Sequence, residues 1–219
     1  MNTILSTINQ ALAPYKANLI AVSKLKPNEA ILEMYELGQR RFGENYVQEL
    51  AEKAASLPSD IEWHMIGHLQ SNKVKYIAPF VAMIHTVDSL SLLQEINKQA
   101  AKHERTISVL LQFKINDETT KFGLDLGEAL AILDHENFDQ LKNIQIEGVM
   151  GMATFTDNQA QVRHEFQALK SIFTNLKNQR FSDVPNLKHI SMGMSDDYPI
   201  ALEEGSTMIR IGSLLFGKR

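Results

Sequence analysis

The sequence has no cysteine among its 219 residues. This absence excludes disulfide bridges, cysteine-ligated zinc, iron–sulfur clusters and thiol nucleophiles, and it is typical of proteins from a reducing compartment. Long apolar runs are also missing, so we expect no membrane span. The first residues lack the basic and apolar regions of a signal peptide. These features predict a cytoplasmic protein.

Dense basic segments are absent as well. The chain has 22 Lys and Arg against 26 Asp and Glu, a net charge of −4, so we expect no nucleic-acid binding. The dinucleotide-binding fingerprint and the nucleophile elbow of hydrolases are missing. Residues 212–219 resemble a Walker A loop, but without the Ser or Thr that must follow the lysine. His64 and His68 have the spacing of a zinc-protease motif without its glutamate, so no metal site is expected.

Short β-rich apolar segments alternate with amphipathic segments along the whole chain, a pattern typical of strand–helix units. No linker-like segment interrupts it, so we expect a single domain over residues 1–219. Eight strands favour a closed (β/α)8 TIM barrel with an extra N-terminal helix, and an open doubly wound sheet is the alternative. The predicted strands are Leu19–Ser23, Arg41–Glu44, Glu62–Ile66, Met83–Thr86, Ile107–Ile115, Ile146–Met150, His189–Ser191 and Met208–Ile211. The predicted helices are Asn2–Leu12, Asn28–Glu36, Val47–Ala55, Gln70–Ile77, Ser89–His103, Leu126–Leu133, Gln159–Asn178 and Asp197–Leu202, with Asn28 and Ser89 as N-caps.

A lysine follows the first predicted strand. Active sites of TIM barrels lie at the C-terminal ends of the strands, where Lys24 is expected. Partial burial favours the neutral, nucleophilic form of a lysine amine, so Lys24 is a candidate for a Schiff base. The alternative is a solvent-exposed lysine at the start of a loop.

Two loops near the C-terminus have the composition of a phosphate site. In TIM barrels a phosphate is often held by backbone N–H groups in the loops after strands seven and eight. Ser195, Gly212 and Ser213 occupy these loops, and the alternative is a pair of ordinary tight turns. Arg210 stands in an apolar run, so we expect it to be partly buried with a partner: a phosphate, an acidic group or a ring nitrogen.

An imine-forming lysine, a phosphate site and a buried cation together describe a pyridoxal phosphate site. A class I aldolase, which uses a barrel lysine without a cofactor, remains a competing interpretation.

Longer motifs carry a family resemblance over nearly the whole chain. The sequence resembles the pyridoxal phosphate homeostasis protein family, also called the proline synthase co-transcribed family, in segments 21–27 (AVSKLKP), 42–49 (FGENYVQE), 63–73 (WHMIGHLQSNK), 191–197 (SMGMSDD) and 205–212 (GSTMIRIG). The resemblance implies a barrel of the fold type III class, similar to the N-terminal barrel of alanine racemase. It implies that Lys24 forms the imine, that Ser195, Gly212 and Ser213 hold the phosphate, that Arg210 faces the pyridine nitrogen, and that Asn45 and Met192 belong to the cofactor pocket.

Two departures from the racemase pattern argue against efficient racemisation. The sequence ends at Arg219, after the eighth strand, so the β domain that supplies the opposing catalytic tyrosine is expected to be absent. Met152 stands where a ring-stacking histidine is expected. Racemisation needs an acid and a base on opposite faces of the substrate carbon, and Lys24 serves one face only.

The leading hypothesis is a monomeric protein that binds pyridoxal phosphate with little or no catalysis, buffers the cofactor and delivers it transiently to apo-enzymes. The alternative is a pyridoxal phosphate enzyme acting on a small amino acid, as a slow racemase or lyase. A scaffolding role without ligand is the least specific interpretation. Asp117 and Lys121, in the loop after strand five, are further candidates for ligand contact.

Overall fold

The computed structural model describes residues 2–116, 122–182 and 186–217. Eight parallel strands pair in chain order, and β8 pairs with β1, so the sheet closes into a barrel. This closure confirms the predicted (β/α)8 fold over the open sheet. The strands are β1 (Asn18–Val22), β2 (Arg41–Glu44), β3 (Glu62–Met65), β4 (Met83–Val87), β5 (Ile107–Phe113), β6 (Ile144–Gly151), β7 (His189–Ser191) and β8 (Met208–Ile211).

Helices connect the strands, and one helix precedes β1 as predicted. They are α1 (Asn2–Leu12), α2 (Asn28–Glu36), α3 (Val47–Ser56), α4 (Leu90–Lys102), α5 (Leu126–Leu133), α6 (Gln159–Arg180), α7 (Tyr198–Glu203) and α8 (Ser213–Phe216). Short 3₁₀ helices cover Ala13–Tyr15, Ser71–Tyr76 and Phe138–Gln140. In the part of the chain that the structure describes, no helix combines the length and the apolar character needed to cross a membrane.

Helix α4 shows how the sequence produces these elements. Leu92, Leu93 and Ile96 recur at helical spacing and are buried against the barrel, which stabilises the fold by about 1.5–3 kcal/mol for each such side chain. Ser89 caps the helix, because its Oγ accepts a hydrogen bond from Leu92 N at 3.3 Å. The predicted N-cap at Ser89 is therefore confirmed.

The structure corrects two sequence-based predictions and adds one short helix. Asn28 is not an N-cap: Pro27 holds that position, with extended φ and ψ of −70° and 161°, and Asn28 is the first helical residue. The predicted helix Gln70–Ile77 is a 3₁₀ helix over Ser71–Tyr76. Helix α8 was not predicted, because four residues are too few for a periodic pattern. The other predicted elements end within two residues of the observed bounds.

Two apolar clusters form the core. The larger cluster joins the strands to the surrounding helices, and the smaller consists of Met83, Leu110, Met150 and Met208. All five residues of β4 are buried, as is typical of a parallel sheet covered on both faces. Because all strands run in parallel, their C-terminal ends meet at one mouth of the barrel, where polar residues follow them.

Candidate functional site

A cavity of about 360 Å³ lies at this mouth, a volume within the usual range for small-molecule sites. The structure brings six of the seven sequence-predicted site residues together on its lining: Lys24, Asn45, Ser195, Arg210, Gly212 and Ser213. The seventh, Met192, is fully buried in the main core and is not among the lining residues. The strand ends therefore assemble residues that lie up to 189 positions apart in the sequence.

Lys24 lies in a tight turn directly after β1. Lys26 N donates to Ser23 O at 3.0 Å, which closes a four-residue turn with Lys24 and Leu25 at its centre. Leu25 has a φ of +59°, in the left-handed region that residues with a side chain rarely adopt. Lys24 itself is half-buried at the cavity.

The loop after β7 brings Ser195 to the cavity. Gly193 has a φ of +94°, and an added Cβ would lie 2.6 Å from the Cβ of Ala201, so the loop passes α7 more closely than a side chain allows. Met194 N donates to Asp197 Oδ1 at 2.5 Å, which fastens the loop to the start of α7. Burial raises the pKa of Asp197.

The loop after β8 completes the same wall, because β7 and β8 are neighbours in the barrel. Gly212 ends this loop, and Ser213 is the first residue of α8. The first N–H groups of a helix have no acceptor within the helix and attract anions. Together with the hydroxyls of Ser195 and Ser213, this wall offers several donors to a phosphate.

Arg210 is 4% exposed and has two partners. Its Nη1 donates to Ser191 Oγ at 2.6 Å, and its Nη2 donates to Gly151 O at 3.1 Å. Burial lowers its pKa to about 10, against the opposing effect of Asp197, so the guanidinium remains charged at neutral pH. The expected burial and the need for a partner are confirmed.

A buried polar chain continues from Arg210 through the barrel. His85 Nδ1 lies 3.0 Å from Ser191 Oγ, and His64 Nδ1 lies 2.8 Å from His85 Nε2. Strands β4 and β7 are not neighbours, so the contact between His85 and Ser191 crosses the barrel interior. No local sequence pattern indicates these contacts, because the paired residues are 21 and 106 positions apart.

Both histidines of this chain are held in the neutral form. Burial lowers the pKa of His64 to about 3 and lowers that of His85 well below 6.5. Each neutral ring then offers one donor and one acceptor nitrogen. His64 Nε2 is buried without a hydrogen-bond partner among the described residues.

Asn45 is another polar residue of the lining. Its Oδ1 is buried and makes no hydrogen bond within the described part of the chain, which leaves an acceptor available beside the cavity. Asp117 and Lys121 lie outside the described residues. Across residues 2–116, 122–182 and 186–217, no three His, Asp or Glu side chains cluster closely enough to hold a metal ion.

Comparisons with known proteins identify the family of this chain. Residues 5–219 match the family model "Alanine racemase, N-terminal domain". The pyridoxal phosphate homeostasis protein of Aquifex aeolicus is 38% identical over 204 residues, which cover 93% of this chain and 87% of the relative. The protein of that name from Homo sapiens is 39% identical over 211 residues, which cover 92% of this chain and 76% of the relative.

Solved structures show the same relationship. PipY of Synechococcus elongatus without pyridoxal phosphate has a TM-score of 0.91 at 37% identity, and its structure with pyridoxal phosphate bound has 0.88 at 36%; each match covers 99% of both chains. Alanine racemase of Bartonella henselae has a TM-score of 0.72 at 16% identity, covering 60% of that chain, a likeness of fold alone. The chain therefore belongs to the pyridoxal phosphate homeostasis protein family, built on the barrel of the alanine racemase N-terminal domain.

Proposed function

We propose that this protein binds pyridoxal phosphate in the cavity at the barrel mouth and serves cofactor homeostasis by holding it as an imine on Lys24. One observation carries the proposal: Lys24, Ser195, Ser213 and Arg210 line the same cavity. PipY, 36% identical over nearly its whole length, has been solved with pyridoxal phosphate bound. The names of the curated relatives support the same role.

The chemistry of the lining fits this cofactor. An aldehyde needs an amine, which Lys24 supplies, and a phosphate needs several donors, which the loops after β7 and β8 supply. Arg210 offers a cation for a ring nitrogen. The unpartnered Oδ1 of Asn45 offers an acceptor for a donor on the ligand. We therefore assign these residues to cofactor binding. Met192, which the resemblance adds to the pocket, is fully buried and is not among the lining residues.

Arg210 also suits a storage role better than a catalytic one. When bound, pyridoxal phosphate acts as an electron sink, and this capacity depends on protonation of its ring nitrogen. A charged guanidinium beside that nitrogen disfavours its protonation. The contacts of Arg210 with Ser191 and Gly151 hold the guanidinium in place.

The composition of the lining is a second reason to expect little or no catalysis. Among its described residues there is neither a tyrosine nor a histidine, and Met152 occupies the wall. The acidic residue of the lining, Asp196, directly follows Ser195 in the loop assigned to the phosphate, so an acid–base pair on opposite faces of a substrate carbon is difficult to assemble from these residues. We propose that turnover of amino acids is slow or absent. Incubation with an amino-acid panel and chiral analysis of the products tests this, and efficient turnover of any member would contradict it.

Delivery of the cofactor to apo-enzymes, a single-domain monomeric state and a cytoplasmic location complete the proposal. A reversible imine masks the reactive aldehyde and still releases it. Direct delivery predicts that an apo-enzyme draws cofactor from the protein faster than the cofactor dissociates spontaneously. Equal rates would contradict direct transfer, and sedimentation analysis tests the monomer.

Absorbance spectroscopy tests the central assignment. We expect a visible imine band when pyridoxal phosphate is added to the parent, and its loss after borohydride. Lys24→Ala should lack the band. Lys26→Ala is the matched control: Lys26 also lines the cavity, but its Nζ donates to Phe216 O and Gly217 O at 2.9 and 3.2 Å, so the band should persist. A parent without the band would refute the assignment and favour the aldolase interpretation.

A further inference from the structure

A buried charge cluster lies beside the turn that carries Lys24. We call Ser23, Glu44, Glu49 and Lys53 the turn-holding cluster. Lys53 Nζ donates to Glu44 Oε1 at 2.8 Å, to Glu49 Oε1 at 2.6 Å and to Ser23 O at 2.7 Å. Ser23 Oγ donates to Glu44 Oε1 at 2.6 Å. The cluster therefore joins α3, the end of β2 and the first residue of the turn.

Two of its contacts fix the backbone on either side of Lys24. Ser23 O, which precedes Lys24, accepts from Lys53 Nζ. Leu25 N, which follows Lys24, donates to Glu49 Oε1 at 2.6 Å. The carboxylate thus determines which way the peptide between Lys24 and Leu25 faces.

The conformation of Leu25 explains why such a contact is needed. A turn of this kind needs a positive φ at its third position, where glycine or asparagine is usual. Leu25 adopts a φ of +59° despite its side chain, and that side chain is 58% exposed, so packing does not hold it there. The hydrogen bond from Lys26 N to Ser23 O closes the turn, and the hydrogen bond from Leu25 N to Glu49 holds the backbone of Leu25 itself.

Burial of these charged groups carries a desolvation penalty, so the cluster is not an efficient source of folding stability. Glu44 is fully buried, burial raises its pKa, and one carboxylate oxygen of Glu44 and one of Glu49 have no partner among the described residues. Buried ion pairs often contribute less to stability than apolar side chains of the same volume, and in some proteins they instead specify a unique geometry. Here the geometry that the cluster determines is that of the Lys24 turn.

We propose that Glu49, supported by Lys53, is a positioning residue for Lys24: it holds the turn in the conformation that presents the lysine amine to an aldehyde in the cavity. The inference rests on the proposed function. In the step concerned, the neutral amine adds to the aldehyde carbon, a C=N bond forms, and the aldehyde oxygen leaves as water with the two amine hydrogens. Without the Glu49 contact, the turn populates other conformations and fewer encounters lead to the imine.

Stopped-flow absorbance with pyridoxal phosphate tests this inference. Glu49→Ala removes the acceptor, and Glu49→Asp shortens it by one methylene while keeping its charge. We expect both to slow formation of the imine band by about tenfold, since a hydrogen bond to a charged group contributes at least the corresponding free energy. Glu52→Ala and Glu52→Asp are matched controls, because Glu52 is an exposed residue of the same helix, and their rates should equal that of the parent.

A rescue variant separates positioning from simple loss of stability. Glycine adopts a positive φ without steric cost, so Leu25→Gly in the Glu49→Ala background should restore most of the lost rate. Circular dichroism and urea unfolding of each variant without cofactor report its fold. If Glu49→Ala does not fold, Glu49→Asp combined with Leu25→Gly tests the positioning role in its place.

The outcomes are distinct. A slow Glu49 variant that is folded and rescued by Leu25→Gly supports the positioning role. A folded Glu49 variant with the parent rate overturns the positioning role and leaves the proposed function intact, as does a loss that Leu25→Gly fails to restore. A parent protein without an imine band overturns both.

Discussion

The neutral histidines inside the barrel predict a loss of stability in mild acid. In an unfolded chain a histidine has a pKa near 6.5, whereas burial lowers the pKa of His64 to about 3 in the folded protein. Between these two values the unfolded state binds a proton that the folded state excludes. The free energy of unfolding therefore falls as the pH is lowered below 6.5 and continues to fall towards about 3.

The expected magnitude follows from this difference. At pH 5 the medium is about 1.5 units below the unfolded-state pKa, and each unit corresponds to 1.36 kcal/mol. His64 alone should therefore cost about 2 kcal/mol of stability at pH 5 relative to pH 8. His85 adds a loss of the same sign, because burial also lowers its pKa.

A substitution isolates the contribution of His64. His64→Asn removes the titrating ring and keeps an amide group that can donate to or accept from His85 Nε2. Urea unfolding at pH 8 and pH 5 should show that the parent loses about 2 kcal/mol more than this variant. Carboxylates with raised pKa, such as Glu44 and Asp197, change the free energy of unfolding equally in both proteins, so their contribution cancels in the comparison.

The matched control is His103→Asn, which removes an exposed histidine at the end of α4 and should retain the full pH dependence of the parent. Equal losses in the parent and His64→Asn between pH 8 and pH 5 would refute the reasoning, since His64 would then titrate alike in the folded and unfolded states.

Two further substitutions test the packing of the barrel. Gly148→Ala places a Cβ 1.9 Å from the backbone oxygen of His189, so we expect urea unfolding to show a loss of about 3 kcal/mol or more. Gly127 lies in helix α5, and a Cβ added there would lie 3.3 Å from the Asp125 side chain, so Gly127→Ala should lose no stability. Ser191→Ala removes the acceptor of Arg210 Nη1, so we expect a loss of about 2 kcal/mol and faster release of pyridoxal phosphate, measured by urea unfolding and by decay of the imine band after dilution. Parent-like values in either case would contradict the assigned contact.

The eight strands of the barrel could be predicted from the sequence for a physical reason. Buried parallel strands are often continuous apolar segments, as in β1 and β5, and their alternation with amphipathic helices predicted eight strands. Closure of the eight strands confirmed the barrel. Local backbone conformation, at helix caps and in short helices, was harder to predict. Proline holds the N-cap position before Asn28, and the tight loop over Ser71–Tyr76 winds as a 3₁₀ helix.

The site was predictable for residues at or just after the C-terminal ends of the strands. Lys24, Ser195 and Arg210 reach one cavity because parallel strands end at the same mouth; their contacts with a cofactor remain predictions. Contacts through the interior were not predictable, because no local pattern links His85 to Ser191. Met192 was assigned to the pocket by resemblance, and the structure places it in the core.

Closure of the barrel also constrains when the protein becomes functional during its synthesis. Strand β1 pairs with β8, and Lys26 Nζ contacts Phe216 O across 190 positions of the chain. Such distant pairing forms late, because the intervening chain must be ordered first. On the ribosome, the lysine side of the cavity emerges long before the loops after β7 and β8. A nascent chain therefore lacks a complete pocket, and cofactor capture begins only when translation has passed β8.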